Sequence, residues 1–204
     1  MPDTTGRGPY AKGIARRQQI LAEALQAYAD SDSTGPSLRA IAQRVGLSER
    51  GLLHYFPARD ELLVAILAER DAADRARFDP DTPVDDMAAV IAHSARTPGL
   101  VRLLLEMIAA AADERHAAHR YFTQRYRGLH DLVARKFRLS TGAREQSTPP
   151  TVDPEFAARI LIAASDGLQA QWLLDPSIDL EGDLTTLTRV LTSAGATRAH
   201  RPRP

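Results

Sequence analysis

The chain holds 204 residues, 26 of them basic and 26 acidic, with six histidines, 44% apolar residues and no cysteine. This is the composition of a globular protein, and the lack of cysteine excludes a disulfide scaffold, a thiolate zinc site and any thiol-based chemistry. The zero net charge conceals a split: residues 1–59 carry eight basic and five acidic side chains, and the other 145 carry 18 and 21. That segregation says more about partners than the bulk charge does. No apolar stretch approaches the roughly 20 residues needed to cross a bilayer, so no membrane partner is expected. Met1 to Gly13 lack the apolar core of a signal peptide, which sets a cytoplasmic location as the expectation.

Helical periodicity runs from end to end, and no segment alternates as a strand would. Ile14, Leu21, Leu25 and Tyr28 are spaced to share one face of a first helix, which the polar turn Asp30–Pro36 ends. Leu38, Ile41, Ala42 and Val45 form the apolar face of a short second helix, with Ser37 as its N-cap and Gly46 as its left-handed C-terminal residue. Ser48 caps a third short helix that closes at Phe56-Pro57. A fourth, about Ala58 to Arg77, carries Leu62, Leu63, Ile66 and Leu67, and the prolines of Phe78–Pro83 break the chain after it. Thr97-Pro98 opens a segment apolar almost all round, which predicts burial on most sides. A stripe at Phe122, Tyr126, Leu129, Val133 and Phe137 follows. Ser140 to Thr151 reads as a loop. Asp153-Pro154-Glu155 starts a helix to about Leu174, and Leu180, Leu184, Leu187 and Leu191 line a last one. The expectation is an all-α protein of about nine helices, with a disordered tail over 196–204.

Segment 37–56, SLRAIAQRVGLSERGLLHYF, is the informative part. Two helices of about eight residues meet at a glycine-containing turn, the second compact and capped, which is the spacing of a helix-turn-helix. The stretch 14–62, with Ile41-Ala42, Gly46-Leu47-Ser48 and Phe56-Pro57-x-Arg59-Asp60-Glu61-Leu62, resembles the N-terminal domain of TetR-type transcriptional regulators. The resemblance implies a core of Ile41, Ala42, Val45, Leu47, Leu52 and Phe56. It leaves Glu49, Arg50, Gly51, His54 and, in part, Leu53 and Tyr55 facing the major groove of a double-stranded operator, where arginine can take guanine O6 and N7. Ser37, Arg39, Ser48, Tyr55 and Arg59 would serve the same interface, Ser37, Arg39, Tyr55 and Arg59 by holding phosphates. Leu53 departs from the family pattern, which often has a backbone-touching tyrosine there. Gly51 departs from a frequent threonine or alanine. Upstream, Arg7, Lys12, Arg16 and Arg17 are either an arm that reaches DNA or a solubilising terminus.

The implied domains are 10–57 for DNA binding and 58–195 for ligand binding and dimerisation. Ser165 to Pro176 resembles the dimerisation helix of this family, closest to the choline-responsive BetI-type branch, which does not imply choline as ligand. Small residues at Ala163, Gly167 and Ala170 permit close helix approach. With the leucine face of the last helix (Leu180, Leu184, Leu187, Leu191), they would form a two-fold homodimer interface. The resemblance further implies a cavity for a small-molecule effector, lined by Leu104, Met107, Ile108, Tyr121 and Phe122, and by Arg125, Tyr126, Ser165, Gln169 and Trp172. Taken one at a time, the apolar members are better explained as ordinary core. Arg125, Ser165 and Gln169 are more telling, because polar groups in a helical interior need partners. His116 and His119, near Asp113 and Glu114, lack the spacing of a zinc motif, and Ser165-Asp166-Gly167 is no nucleophile elbow. No cofactor, metal site or catalytic residue is expected. The reading is a DNA-binding regulator, most readily a repressor that leaves a palindromic operator on binding its effector. An activator, or a helical small-molecule-binding protein that no longer reads DNA, are the alternatives.

Overall fold

The computed structural model describes residues 9–31, 35–76, 97–142 and 152–193, together with 81, 84, 89, 91 and 93. Arg7, most of the expected break at 78–83, the bulk of the expected loop before Thr151 and the tail 196–204 lie outside the described residues. Eight helices have described bounds: α1 Pro9–Ala29, α2 Leu38–Arg44, α3 Glu49–Tyr55, α4 Arg59–Arg75, α5 Pro98–Ala110, α6 Ala117–Gly142, α7 Pro154–Leu174 and α8 Leu180–Ser193. The chain is all-α, with no strand among the described residues. It divides into two compact units, residues 1–73 with 97–118, and 74–96 with 119–204. The first unit is larger than the reading head expected at 10–57, because most of α4 and all of α5 fold with it.

In the first unit, α1 buries Ile20, Leu21, Ala24 and Tyr28 on one face. Ile14, expected on that face, is 44% exposed instead. Periodicity assigns a face, but not how far along a helix its neighbours cover it. The two short helices are held by their caps. Ser37 Oγ accepts from the Ala40 amide at 3.1 Å, and Ser48 Oγ accepts from the Gly51 amide at 3.1 Å. Gly46 between them has φ +68°, a conformation that costs an L-residue about 1 kcal/mol or more. Ile41, Ala42, Leu52 and Phe56 are buried, as are Leu62, Leu63, Ile66 and Leu67 of α4. Thr97 occupies the N-cap position of α5 without a side-chain capping bond. The start of α5 is instead clamped from two sides. A Cβ on Gly99 would lie 2.3 Å from the Tyr28 carbonyl oxygen, and Arg70 of α4, itself buried, donates to the Leu100 carbonyl at 3.2 Å.

The second unit centres on Val84, Val133, Ala134, Phe137, Ala157, Ala158, Leu161 and Leu184. Asp153 caps α7 by accepting from the Glu155 amide, with Pro154 at the first helical position. Helix α8 corrects the sequence reading. Leu180 and Leu184, expected at a subunit interface, are 5% and 0% exposed within their own chain. Leu187 and Leu191 are half-buried against the same core. The leucine face therefore has its partner inside the unit. What stays open is the opposite side of α7, where Phe156, Ala163, Gly167 and Leu174 form one exposed stripe.

Candidate functional site

Capping decides how α3 is presented. With seven residues it has too few internal hydrogen bonds to stand alone, and the Ser48 cap and the burial of Leu52 and Phe56 fix it to the head. That anchoring leaves Glu49, Arg50, Leu53 and His54 exposed on one side, with Gly51 and Tyr55 half-buried. The rings of His54 and Tyr55 meet edge to face, their centroids 5.5 Å apart. Ser37, Arg39 and Arg59 are all exposed. The hydroxyl oxygens of Ser37 and Ser48 each accept a backbone amide and keep the hydroxyl proton for an acceptor such as a phosphate. The surface that α3 presents thus carries one cation, Arg50, beside an acid, an imidazole and an apolar side chain.

Two arginines of the upstream basic run are used internally. Arg16 donates from Nη2 to the carbonyl of Val45, the residue that ends α2, and the Arg17 guanidinium stands 4.6 Å from the centroid of the buried Phe56 ring. A cation over an aromatic face contributes about 0.5–2 kcal/mol. These contacts brace α1 against the ends of α2 and α3. Arg44 is likewise engaged, 3.1 Å from Glu23 and 3.0 Å from Asp30. Asp30 titrates below the usual carboxylate range, because Gln26 and then Arg44 hydrogen-bond its charged form.

The second unit gathers a polar and aromatic group from α6 and α7. Tyr121 and Phe122 meet edge to face at 5.1 Å, and Phe122 and Tyr126 lie 6.0 Å apart. Arg125 stands 5.9 and 5.7 Å from the Phe122 and Tyr126 ring centroids. The Tyr126 hydroxyl donates to Asp166 at 2.7 Å. Burial first, and this carboxylate second, push the phenol well above the ordinary tyrosine range. One turn along α7, Gln169 Nε2 donates to the Ser165 carbonyl and hydroxyl at 3.1 and 3.2 Å, while its buried Oε1 accepts nothing from the described residues. Trp172 is half-buried on the same helix. Of the expected lining residues, Leu104, Met107 and Ile108 belong to the first unit, where Leu104 and Met107 are buried and Ile108 is half-buried. Sequence reasoning missed Asp166. Its only signal was an acidic side chain in the middle of a largely apolar helix. His116, weighed as a metal ligand, instead lies 3.1 Å from Asp60 through Nε2, and no cluster suited to a metal occurs among the described residues.

Residues 20–66 match the family described as bacterial regulatory proteins, tetR family. Residues 84–194, more than half of the chain, match the BetI-type transcriptional repressor C-terminal domain. The chain belongs to the TetR family. It is a transcription regulator with a helix-turn-helix DNA-binding domain, and not an enzyme. Among its relatives, the HTH-type transcriptional regulator RutR of Escherichia coli K12 is 35% identical over 66 residues. That alignment spans 32% of this chain and 31% of RutR. Solved TetR-type structures extend the likeness of fold along the chain. A transcriptional regulator from Rhodococcus sp. Rha1 has a TM-score of 0.63 at 18% identity, covering 87% of this chain and 96% of its own. The SmeT–triclosan complex has a TM-score of 0.60 at 24% identity, covering 93% and 99%. SmeT is the repressor of a Stenotrophomonas maltophilia multidrug efflux pump. No helix in the described part of this TetR-family chain is long and apolar enough to cross a membrane.

Proposed function

We propose that this regulator is a cytoplasmic, homodimeric repressor that leaves a palindromic operator when it binds a small molecule. Residues 10–57 read DNA, and 58–195 bind the effector and dimerise. The observation that carries the reading is the exposed face of α3, which holds Glu49, Arg50 and His54 clear of the core that anchors the helix. Arg50 takes a guanine edge, while Arg39 and Arg59, exposed at the starts of α2 and α4, hold phosphates and set register. Ser37, Ser48, Gly51 and Tyr55 complete the contact as proton donors or as points of close approach.

Effector binding belongs to the α6–α7 group of Phe122, Arg125, Tyr126, Ser165 and Gln169. An acceptor buried without a donor costs about 1–3 kcal/mol, and Gln169 Oε1 recovers that when a ligand donates to it. The triclosan carried by SmeT and the lauroyl-CoA carried by the Thermus thermophilus FadR structure illustrate how varied such ligands are within this fold. Dimerisation uses the open stripe of α7, where a Cβ added at Gly167 would meet nothing within 4 Å, so that a partner's helix can approach closely. A two-fold contact there closes on itself and presents two α3 helices about 34 Å apart, one turn of DNA.

Selection of duplexes from a random-sequence pool by the full-length protein tests the reading. Enrichment of an inverted repeat, released by a small molecule from a metabolite panel, is the expected result. A chain that enriches no sequence would return the protein to the class of ligand binders that do not read DNA.

A further inference from the structure

Leu53 is 38% exposed, an apolar side chain left on the same side of α3 as Glu49, Arg50 and His54. A singly exposed leucine needs no explanation by itself; its position is what matters here. Leu52, its neighbour, is fully buried and supplies the apolar anchor of the helix, so Leu53 is not needed for the core. Residues 49, 50, 53 and 54 are one helical turn apart in pairs and share one face. On that face Arg50 and His54 can hydrogen-bond to base edges, and Glu49 can accept from them. Leu53 can do neither. If it met an acceptor or donor edge, it would bury that group without a partner, at a cost. The major groove displays one apolar group for it to meet, the C5 methyl of thymine.

We infer that Leu53 is a specificity-determining residue that packs on the C5 methyl of a thymine in each operator half-site, beside the base taken by Arg50. The inference rests on the DNA-reading function proposed above. The shared chemistry is a pyrimidine C5 methyl, and thymine is its source here.

The test uses the full-length protein and the duplex it selects from a random pool. Each thymine is replaced in turn by deoxyuridine, which removes only the methyl group, and affinity is measured for the wild-type chain and for Leu53→Ala. Expected is one thymine per half-site whose replacement weakens wild-type binding by about fourfold, the order of effect of burying one methyl group. Leu53→Ala should lose a similar factor on the thymine duplex and be indifferent to deoxyuridine. At the same position, 5-methyl-deoxycytidine should bind the wild-type chain better than deoxycytidine, with no such preference in the variant. A wild-type chain insensitive to every thymine methyl, or a Leu53→Ala variant as sensitive as the wild type, overturns the assignment while leaving DNA reading intact. Failure to enrich any duplex overturns both. Thermal unfolding of Leu53→Ala at the wild-type temperature shows that a loss belongs to contact and not to folding. As a second variant, Leu53→Gln should shift the selected base from thymine towards adenine, which glutamine reads through N6 and N7. An unchanged thymine preference would count against the contact.

Discussion

The imidazole of His116, in the turn after α5, joins Asp60 in the first turn of α4, with Nε2 3.1 Å from Oδ2. Its other nitrogen, Nδ1, accepts the Ala118 amide at 3.1 Å. The proton must therefore sit on Nε2 and point at the carboxylate. One side chain thus caps the start of α6 and ties it to the helix that follows the reading head. Losing the cap and the contact together, His116→Ala should cost about 1 kcal/mol or slightly more. Asp60→Asn, which keeps an acceptor for Nε2–H, should cost less than about 1 kcal/mol, as exposed pairs do. Urea denaturation of the two variants checks the order, and equal losses would place the stabilisation in the pair and not in the cap.

Arg50 and Arg59 should fail in different ways. Arg50→Ala is expected to cost about 1–3 kcal/mol on the selected operator and to relax preference at one base position. Arg59→Ala should weaken binding to all sequences by a similar factor. Titrations on the operator, on single-base variants and on unrelated DNA separate the two. An Arg59 loss confined to particular variants would contradict its place on the backbone.

For assembly, burial of the leucine face moves the informative mutation from α8 to α7. Gly167→Glu should yield monomers that keep the helical content and unfolding temperature of the wild type. Leu184→Glu, which drives a charge into a fully buried site, should instead unfold the second unit. Sedimentation and circular dichroism together check this. A Gly167→Glu protein that remains dimeric would rule out the α7 stripe as the subunit contact.

Tyr126 gives the second unit a signature at high pH. A phenol whose folded pKa is raised contributes stability that is fully present below its unfolded value of about 10 and is lost as pH climbs through the folded value. Stability should therefore decline above about pH 10. The decline should be shallower in Tyr126→Phe, a comparison that cancels the buried Tyr28, whose phenol burial also pushes up. Urea midpoints across that range provide the measurement, and identical slopes would remove Tyr126 as the source.

The reading head was legible because its signals are local. Ser37, Gly46 and Ser48 each act within four residues, and the structure puts all three to the uses their positions indicate. The second unit was legible only as helices. A leucine stripe marks the apolar side of α8 but not whether α7 or a second subunit covers it, and Leu184 shows that α8 turns inward. Asp166 escaped notice for a related reason, since the hydroxyl it accepts from lies 40 residues away on α6. Arg16 and Arg17 looked like free cations because neither Val45 nor Phe56 is near them in sequence.

That engagement of the N-terminal arginines limits how the head can attract a polyanion. Arg16 serves a carbonyl, Arg17 a ring and Arg44 two carboxylates. Among the described residues at this end of the chain, Lys12, Arg39, Arg50 and Arg59 are exposed and stand outside these contacts, and Glu49 partly offsets them. If those four cations alone met phosphates, a dimer would displace roughly eight condensed counterions from a duplex, giving a log–log salt slope of about −7. A slope of that size would make binding to any duplex strongly salt-dependent. Residence on an operator beyond that on random DNA would then be set by the few side chains that touch bases.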